Sequence, residues 1–517
     1  MKKMTAALLS LLLLLTAFEC SYAYTPASSV KVGLAFGSEA VDSFYAQTNG
    51  STVIGHTYDH GFYPQMTLPG VSNILVEKGG GAYLRSSTPY ESLEQAAQAA
   101  RALRETGVYA YGGYYEGNNY LMIGLYTDMA EAERGKADLA YTGIAFTAVE
   151  LDTKAVMVSA QPYYFVFRST DEVFAFGSAD GSTVTVNQTA YYGYILADRT
   201  YSSGISIVNL VGMDDYVACV VGSEMYASWP IEALKAQAVI ARTYACASTS
   251  YHAYGIDVTD DTRSQAYYGT DKETEATRRA AAETSGVIVL YQDAPAQTFF
   301  GSCSGGKTAD VYSAWGGGQG LDYLVSVDDP YEDVENIEGD IWSVTFGADE
   351  VAAKLANIGV NIGTVTNITV TDRGERDERV RGMRFTGTEG SYMATFESCR
   401  TILGLRSQYF YIRSDTQPAN VSVLSQDGAA TVDLANAQAL GAEGSAASDS
   451  YVMVSGEGMT RTVTIEQDAP QDSFTFDGRG YGHGIGLSQY GAKGMAEAGF
   501  GYAEIIAHYY PGTSLSI

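Results

Sequence analysis

The apolar positions of this chain form one leading run and, beyond it, short stretches that alternate or recur every three to four residues. Ala6 to Phe18 is largely apolar and follows Met1, Lys2 and Lys3. Such a run is short for a bilayer span and has the length of the apolar segment of an export signal. Ser21, Tyr22 and Ala23 put small residues where a signal peptidase reads. Residues 1–23 are therefore expected to be a signal peptide cleaved after Ala23, with an uncleaved membrane anchor as the alternative. Cys20 follows Glu19 instead of a small residue, which argues against lipid attachment. Val30 to Phe36 alternates like a strand, and the Gly-, Ser-, Thr- and Asn-rich stretch after it gives no clear element.

Further along, Glu91 to Arg104 has the Ala- and Leu-rich pattern of a helix that Gly107 stops. Val108 to Tyr115 and Tyr120 to Tyr126 read as strands around a turn at Asn118-Asn119, and Asp128 caps a helix to Leu139. Gly204 to Asn209 is strand-like. Asp214-Asp215 then open a helix running toward Glu224, and Pro230 opens another whose Leu234, Ala238, Ala241 and Ala245 form a small-residue packing face. Lys235 and Arg242, seven residues apart, share a different face and are expected to look into a groove. A helix is predicted at Ala348 to Ala356, strands at Ile368 to Thr371 and Met383 to Gly387, and helices at Ser488 to Ala498 and toward Tyr510.

These patterns predict an α+β protein of several segments. They are a signal peptide (1–23), an N-terminal strand segment of the core (24–72), a small α+β module (73–150), a core carrying Glu224 (151–345), an α+β subdomain (346–416), a β-rich insert or linker (417–471), and a glycine-rich loop with terminal helices that complete the core (472–517). About 490 residues after the signal exceed one ordinary domain.

Charge narrows the chemistry. With 31 basic against 60 acidic side chains, nucleic acid is a poor partner, since phosphate binding is driven by basic residues. Beyond the signal, Cys219, Cys246, Cys303 and Cys399 form no C-x-x-C, so neither a zinc ribbon nor a redox motif is indicated, and buried single thiols are expected before a disulfide. The five histidines include no H-E-x-x-H; no metal and no cofactor is expected.

Glu224 lies between two predicted helices beside Met225, Trp229 and Pro230, a corner that can line a cleft and partly bury a carboxyl group. The bland alternative is a solvated helix-end glutamate. Around His483 the run Asp477-Gly-Arg-Gly-Tyr-Gly-His-Gly-Ile-Gly486 removes side chains and exposes Arg479, Tyr481, His483 and later Gln489, which suits a polyhydroxyl ligand. It lacks the spacing of a dinucleotide loop and the lysine of a phosphate loop. In Ser302-Cys-Ser-Gly-Gly306, Cys303 or Ser304 would be a nucleophile only if a base lay near.

Asp215-Tyr-Val-Ala-Cys-Val-Val-Gly-Ser-Glu-Met225 and Trp229-Pro-Ile-Glu-Ala-Leu-Lys-Ala-Gln-Ala-Val-Ile-Ala-Arg-Thr-Tyr-Ala245 resemble the stage II sporulation protein D and amidase-enhancer family. The resemblance continues through Asp261-Thr-Arg-Ser-Gln-Ala-Tyr-Tyr-Gly269, Ser302–Gly306, Tyr323–Val327, Leu403–Ser407 and Gly478–Gly491. It implies a secreted lytic transglycosylase acting on peptidoglycan strands stripped of stem peptides, with Glu224 as catalytic acid and base. It also suggests Arg242, Gln265, Ser304, His483 and Gln489 as substrate-binding residues of a groove. The same family includes amidase enhancers, so a noncatalytic wall-binding protein that stimulates a cell-wall amidase is the rival reading. Two departures stand out: the stretch matching a metal-binding His and Cys cluster in some members, Asp257 to Gly269, holds neither residue, and Tyr226 replaces the proline that usually follows Glu-Met. Within 73–150, Tyr120-Leu-Met-Ile-Gly-Leu-Tyr-Thr-Asp-Met-Ala-Glu-Ala-Glu133 resembles a sporulation-related repeat, a small peptidoglycan-binding module; an ordinary structural insert is the alternative.

Overall fold

A computed structural model describes residues 24–318, 321–413, 420–425, 428–433, 451–456, 459–464 and 472–516; the expected signal peptide lies outside them. The fold is α+β, as the sequence patterning predicts, and divides into two compact units. One comprises 24–298 with Ala496–Ala507 and 512–516, the other Phe299–Met495 with His508–Pro511.

The first unit is built on two sheets. The seven-stranded sheet runs, neighbour to neighbour, through Val258–Thr259, Ser29–Ala35, Ser206–Gly212, Tyr194–Asp198, Val173–Ser178, Thr52–Tyr58 and Gly61–Leu68. The stretch after Phe36 that gave no clear element in the sequence thus supplies strands to both sheets. Ser43–Gln47, for instance, buries only Phe44 and Ala46 and turns Ser43, Tyr45 and Gln47 outward. Two apolar positions are too few to stand out as an alternation.

The ten-stranded sheet contains the module expected at 73–150. Strand Gly81–Ser86, helix α1 (Leu93–Arg104), strands Ala110–Tyr115 and Asn118–Tyr126, helix α2 (Met129–Asp138) and strand Phe146–Leu151 follow in chain order. In the sheet the four strands lie in the order Ala110–Tyr115, Asn118–Tyr126, Gly81–Ser86, Phe146–Leu151, all antiparallel, which is a split β-α-β arrangement. Ser92 caps α1 by accepting the Gln95 N–H, and Asp128 caps α2 by accepting the Glu131 N–H at 2.7 Å. Leu93, Ala96, Ala97 and Ala100 form the buried stripe of α1. The hairpin turn falls at Glu116 and Gly117, both at positive φ, not at Asn118-Asn119, which open the next strand. Ala110–Tyr115 pairs in parallel with Tyr163–Arg168, so the module continues the sheet of the surrounding chain.

Three helices complete the first unit's centre: α3 (Met213–Glu224), α4 (Ile231–Ala247) and α5 (Glu275–Glu283). Pro230 is the residue before α4, where its fixed φ suits a helix start and no hydrogen-bond donor is lost. Leu234, Ala238, Ala241 and Ala245 are buried, as their spacing predicts.

In the second unit Ile341–Gly347, Ser473–Arg479 and Phe410–Arg413 form an antiparallel three-stranded sheet, and Val365–Arg373, Val380–Gly387 and Gly390–Thr395 a meander. Trp342, Phe346, Phe410, Phe474 and Phe476 pack with Val351 and Leu355 of helix Ala348–Asn357 and with Met383 and Phe385 in one core. Each fully buried side chain of this size contributes about 1.5–3 kcal/mol relative to exposure. Of the β-rich insert expected at 417–471, hairpins Asn420–Ser425/Gly428–Asp433 and Tyr451–Gly456/Met459–Thr464 are described; its remaining residues lie outside the described set.

Gly222, two residues before Glu224, packs where a β-carbon would stand 2.2 Å from the Lys272 carbonyl oxygen. Alanine is the better helix former by about 1 kcal/mol, but a backbone atom must then move, at a cost of about 1–3 kcal/mol. Gly222→Ala is expected to lower the thermal midpoint; an unchanged or higher midpoint would show that the α3 contact with this loop yields freely.

Candidate functional site

Glu224 is the last residue of α3, half-buried, and its Oε1 accepts the backbone N–H of Ala266 at 2.8 Å. The residues on either side of Ala266 explain why that N–H is available. Gln265 points inward and donates from Nε2 to the Tyr216 hydroxyl at 2.8 Å and to the Ala241 carbonyl at 3.1 Å. Tyr267, also buried, donates its hydroxyl to Asn209 Oδ1 at 2.7 Å, and Asn209 donates in turn to the carbonyls of Tyr192 and Tyr194. Burial pushes the Tyr267 hydroxyl far above its usual range, so it remains a donor. The segment is thereby tied to α3, to α4 and to a sheet strand on both sides of the residue that holds the acid. Gln265 is thus a positioning residue with 1% exposure and does not reach solvent as a groove residue would. Tyr267 and Asn209 were not singled out from the sequence, where nothing local marks a tyrosine or an asparagine that folds inward.

Beyond Glu224 the chain buries Met225 and leaves Tyr226 66% exposed, its ring 5.5 Å from that of Trp229. The position where the resemblance leads one to expect proline thus carries an exposed aromatic side chain, a lip two residues after the acid.

The structure corrects the expectation for Arg242. It is fully buried, because α5 covers the face it shares with Lys235. Its guanidinium donates to Asp214 Oδ1 at 2.9 Å in the first turn of α3, to the Ala281 carbonyl at 3.0 Å in α5 and to the Val287 carbonyl at 3.2 Å. Lys235 is likewise ion-paired, with Glu232 at 2.8 Å and Glu283 at 2.6 Å. Helical spacing placed the two cations correctly on one face but carried no information about what covers it.

Ser304, His483 and Gln489 belong to the second unit. Phe300–Gly301 pairs in parallel with Leu487–Ser488, and bridges at Cys303–Tyr481 and Ala309–Ile485 keep the two small-residue loops side by side. Between them lies Glu332, a buried acid with no sequence signal. Its carboxylate accepts the N–H groups of Ser304 at 2.7 Å, Gly305 at 2.6 Å and Gly306 at 3.1 Å, and the Ser488 hydroxyl at 2.5 Å. Gly305 and Gly306 have φ of +81° and +88°, the conformation that turns successive N–H groups toward one anion. The Ser304 hydroxyl is buried without a hydrogen-bond partner among the described residues. Burial, with Asp340 and Glu332 adjacent, pushes the Cys303 thiol up, away from the thiolate an activated nucleophile needs. Gln489 is buried at the start of helix Gln489–Glu497.

The His483 ring packs against Trp315 at 5.4 Å and Phe299 at 6.4 Å, and Nδ1 accepts the Ile485 N–H at 2.9 Å. Desolvation pushes its pKa down to about 4, so near neutral pH the ring is uncharged with its proton on Nε2, a donor. The four cysteines outside the signal are free thiols, three of them buried.

The fold and this site define a class: an α+β protein with a helix-end glutamate held by a pinned loop amide, beside an aromatic lip. Residues 201–291, which include Glu224, Arg242 and Gln265, match the family model SpoIID, Stage II sporulation protein. It is similar to the amidase enhancer of Bacillus subtilis, with 28% identity over 310 residues, 57% of this chain and 40% of that protein's length. It also resembles stage II sporulation protein D of Bacillus amyloliquefaciens, with 27% identity over 334 residues, 61% of this chain and 77% of the relative. An uncharacterized protein of Brachyspira hyodysenteriae is 26% identical over 346 residues, 66% of this chain and 76% of the relative. The chain thus spans less than half the length of the amidase enhancer it matches.

Two expected outcomes follow from these surroundings. Arg242→Met leaves several buried oxygens without a donor and is expected to cost about 3 kcal/mol, read as a lower thermal midpoint. A groove residue would instead weaken ligand binding with the midpoint unchanged.

Burial beside Glu332 raises both Asp329 and Asp340 to about 7. Between about pH 4 and 7 the unfolded chain has released these protons while the folded chain retains them, so their contribution makes stability fall as the pH rises through that window. His483 acts in the opposite sense. Its unfolded form takes up a proton below about pH 6.5, so its contribution is lost as the pH falls from there toward 4. Asp329→Asn with Asp340→Asn is expected to flatten the decline in thermal midpoint from pH 5 to 7; an identical pH profile would refute the assignment.

Proposed function

We propose that this protein is an exported lytic transglycosylase that cleaves the bond between N-acetylmuramic acid and N-acetylglucosamine in peptidoglycan. The observation that carries this reading is the Glu224 carboxyl group, half-buried at the end of α3 with Oε1 fixed by the Ala266 N–H. The matched family and the names of its relatives support a role in cell-wall remodelling. In the proposed reaction Glu224 gives its proton to the glycosidic oxygen as the C1–O bond breaks. The C6 hydroxyl of the muramic residue then attacks C1 and returns its proton to the Glu224 carboxylate, leaving a 1,6-anhydro end and a regenerated acid. No second carboxylate and no attacking water enter the balance, unlike two-carboxylate hydrolysis.

The split β-α-β module supports a second contact with the wall, in keeping with its likeness to a sporulation-related repeat, and the apolar run after Lys3 supports export to the cell envelope. The amidase enhancer among the relatives favours the alternative of a noncatalytic partner that binds glycan and stimulates an amidase.

Mature protein and Glu224→Gln, incubated with peptide-free strands and with intact peptidoglycan, separate these readings by mass spectrometry of the products. Anhydro-ended sugars from the wild type, reduced at least a hundredfold by Glu224→Gln, are expected. Reducing ends would indicate hydrolysis, and binding without products from either protein would leave the enhancer reading.

A further inference from the structure

The three-stranded sheet of the second unit has one face buried in its core and one face that forms the floor of an open cleft of about 650 Å³. Alternation along the strands sets the division: Trp342, Phe410, Phe476 and Gly478 face inward, while Ser343, Tyr411, Asp477 and Arg479 share the outer face through the cross-strand pairs Ile341–Arg479, Ser343–Asp477 and Tyr411–Asp477. The cleft lies within one unit and contains none of the residues around Glu224.

Its charges are unevenly matched. Asp477 is satisfied by Arg413 through two hydrogen bonds of 2.8 and 2.7 Å. Glu378 accepts the Tyr411 hydroxyl at 2.6 Å and lies 3.8 Å from Lys307 Nζ. Glu378 also holds a left-handed backbone at φ +56°, with its carbonyl accepting from Arg373. A non-glycine residue fixed in that region is strained locally, and such strain gathers at sites where a side chain must be aimed. Both acids are therefore paired already. Arg479 is exposed and its guanidinium forms no ion pair or hydrogen bond among the described residues. Arg373 stacks 4.4 Å over the Tyr411 ring and, among the described residues, donates only to the backbone carbonyls of Glu378 and Phe410. Two guanidinium groups thus have no carboxylate partner, in a chain whose net charge is −29.

We propose that this cleft is a subsite for a sugar bearing a free carboxylate, with Arg479 taking the carboxylate and Tyr411 the sugar ring. A guanidinium fork matches a carboxylate with two parallel hydrogen bonds. The tyrosine supplies an apolar surface, and the Ser343 hydroxyl and the outer carboxylate oxygens supply acceptors for sugar hydroxyl and amide groups. The proposal rests on the glycan-directed reading above and deepens it. In a strand stripped of peptides each muramic residue carries its lactyl group as a free carboxylate, whereas attachment of a peptide converts that group to an amide. Arg479 would make that difference a criterion of recognition.

The test uses full-length mature protein carrying Glu224→Gln, so that no turnover is read, and calorimetric titration with three tetrasaccharides. These are the peptide-free strand fragment, the same fragment with its lactyl carboxyls blocked as methyl amides, and the neutral N-acetylglucosamine tetramer. The free-acid fragment is expected to bind at least tenfold more tightly than the other two, with affinity falling as salt is raised. Adding Arg479→Gln is expected to remove that preference without changing the thermal midpoint, and Tyr411→Ala to weaken all three. Equal binding of free-acid and blocked fragments, or a Kd within twofold after Arg479→Gln, overturns the proposal. If wild-type protein releases no anhydro sugars while the Arg479-dependent preference persists, the subsite stands and the transglycosylase reading falls.

Discussion

The candidate site depends on one buried cation. Arg242 leaves water entirely, and the oxygens that compensate it come from the start of α3, the end of α5 and the loop after α5. Burying a guanidinium costs several kcal/mol unless its hydrogen bonds are met in good geometry. The arrangement therefore persists only when all three elements arrive together. Once they do, the far end of α3 has a defined place, and Glu224 with it. Gln265 and Tyr267 complete the constraint from the other side by fixing the Ala266 N–H that the acid meets.

The second unit inverts this scheme. There the buried charge is an anion, Glu332, and the donors are three consecutive backbone N–H groups and a serine hydroxyl. Backbone can supply such a cradle only where side chains do not obstruct it, which accounts for Gly305 and Gly306 and for Gly480, whose β-carbon would stand 2.8 Å from the Ser304 carbonyl oxygen. The fully buried Arg379 donates to the carbonyls of Ser304 and Lys307 on the other side of the same loop. Small-residue motifs that look like ligand loops in the sequence thus have a structural task first: they wrap a carboxylate.

Much of this was legible in the chain. Helices with a small-residue stripe emerged from local signals: α1 within two residues of both observed ends, and α4 starting directly after Pro230. Strands such as Ser43–Gln47 did not, since a strand with two inward apolar residues resembles a polar loop until its neighbours are known. Glu224 was found through its helix-corner setting and its motif. Arg242 was placed on the right helix and face but given the wrong surroundings, since the cover comes from a helix more than thirty residues later. Glu332, Asp329 and Asp340 were illegible for a different reason: among 60 acidic residues, nothing local marks the few that fold inward.

The parallel pairing of Ala110–Tyr115 with Tyr163–Arg168 has a mechanical consequence. A module joined by a flexible linker samples a volume, and what it holds is offered at an effective concentration set by linker length. Here backbone hydrogen bonds weld the module into the sheet, so its place relative to the neighbouring strands is set by their register and not by a linker. In place of a tether the module has a weld, and whatever touches it keeps one heading relative to the strands around it.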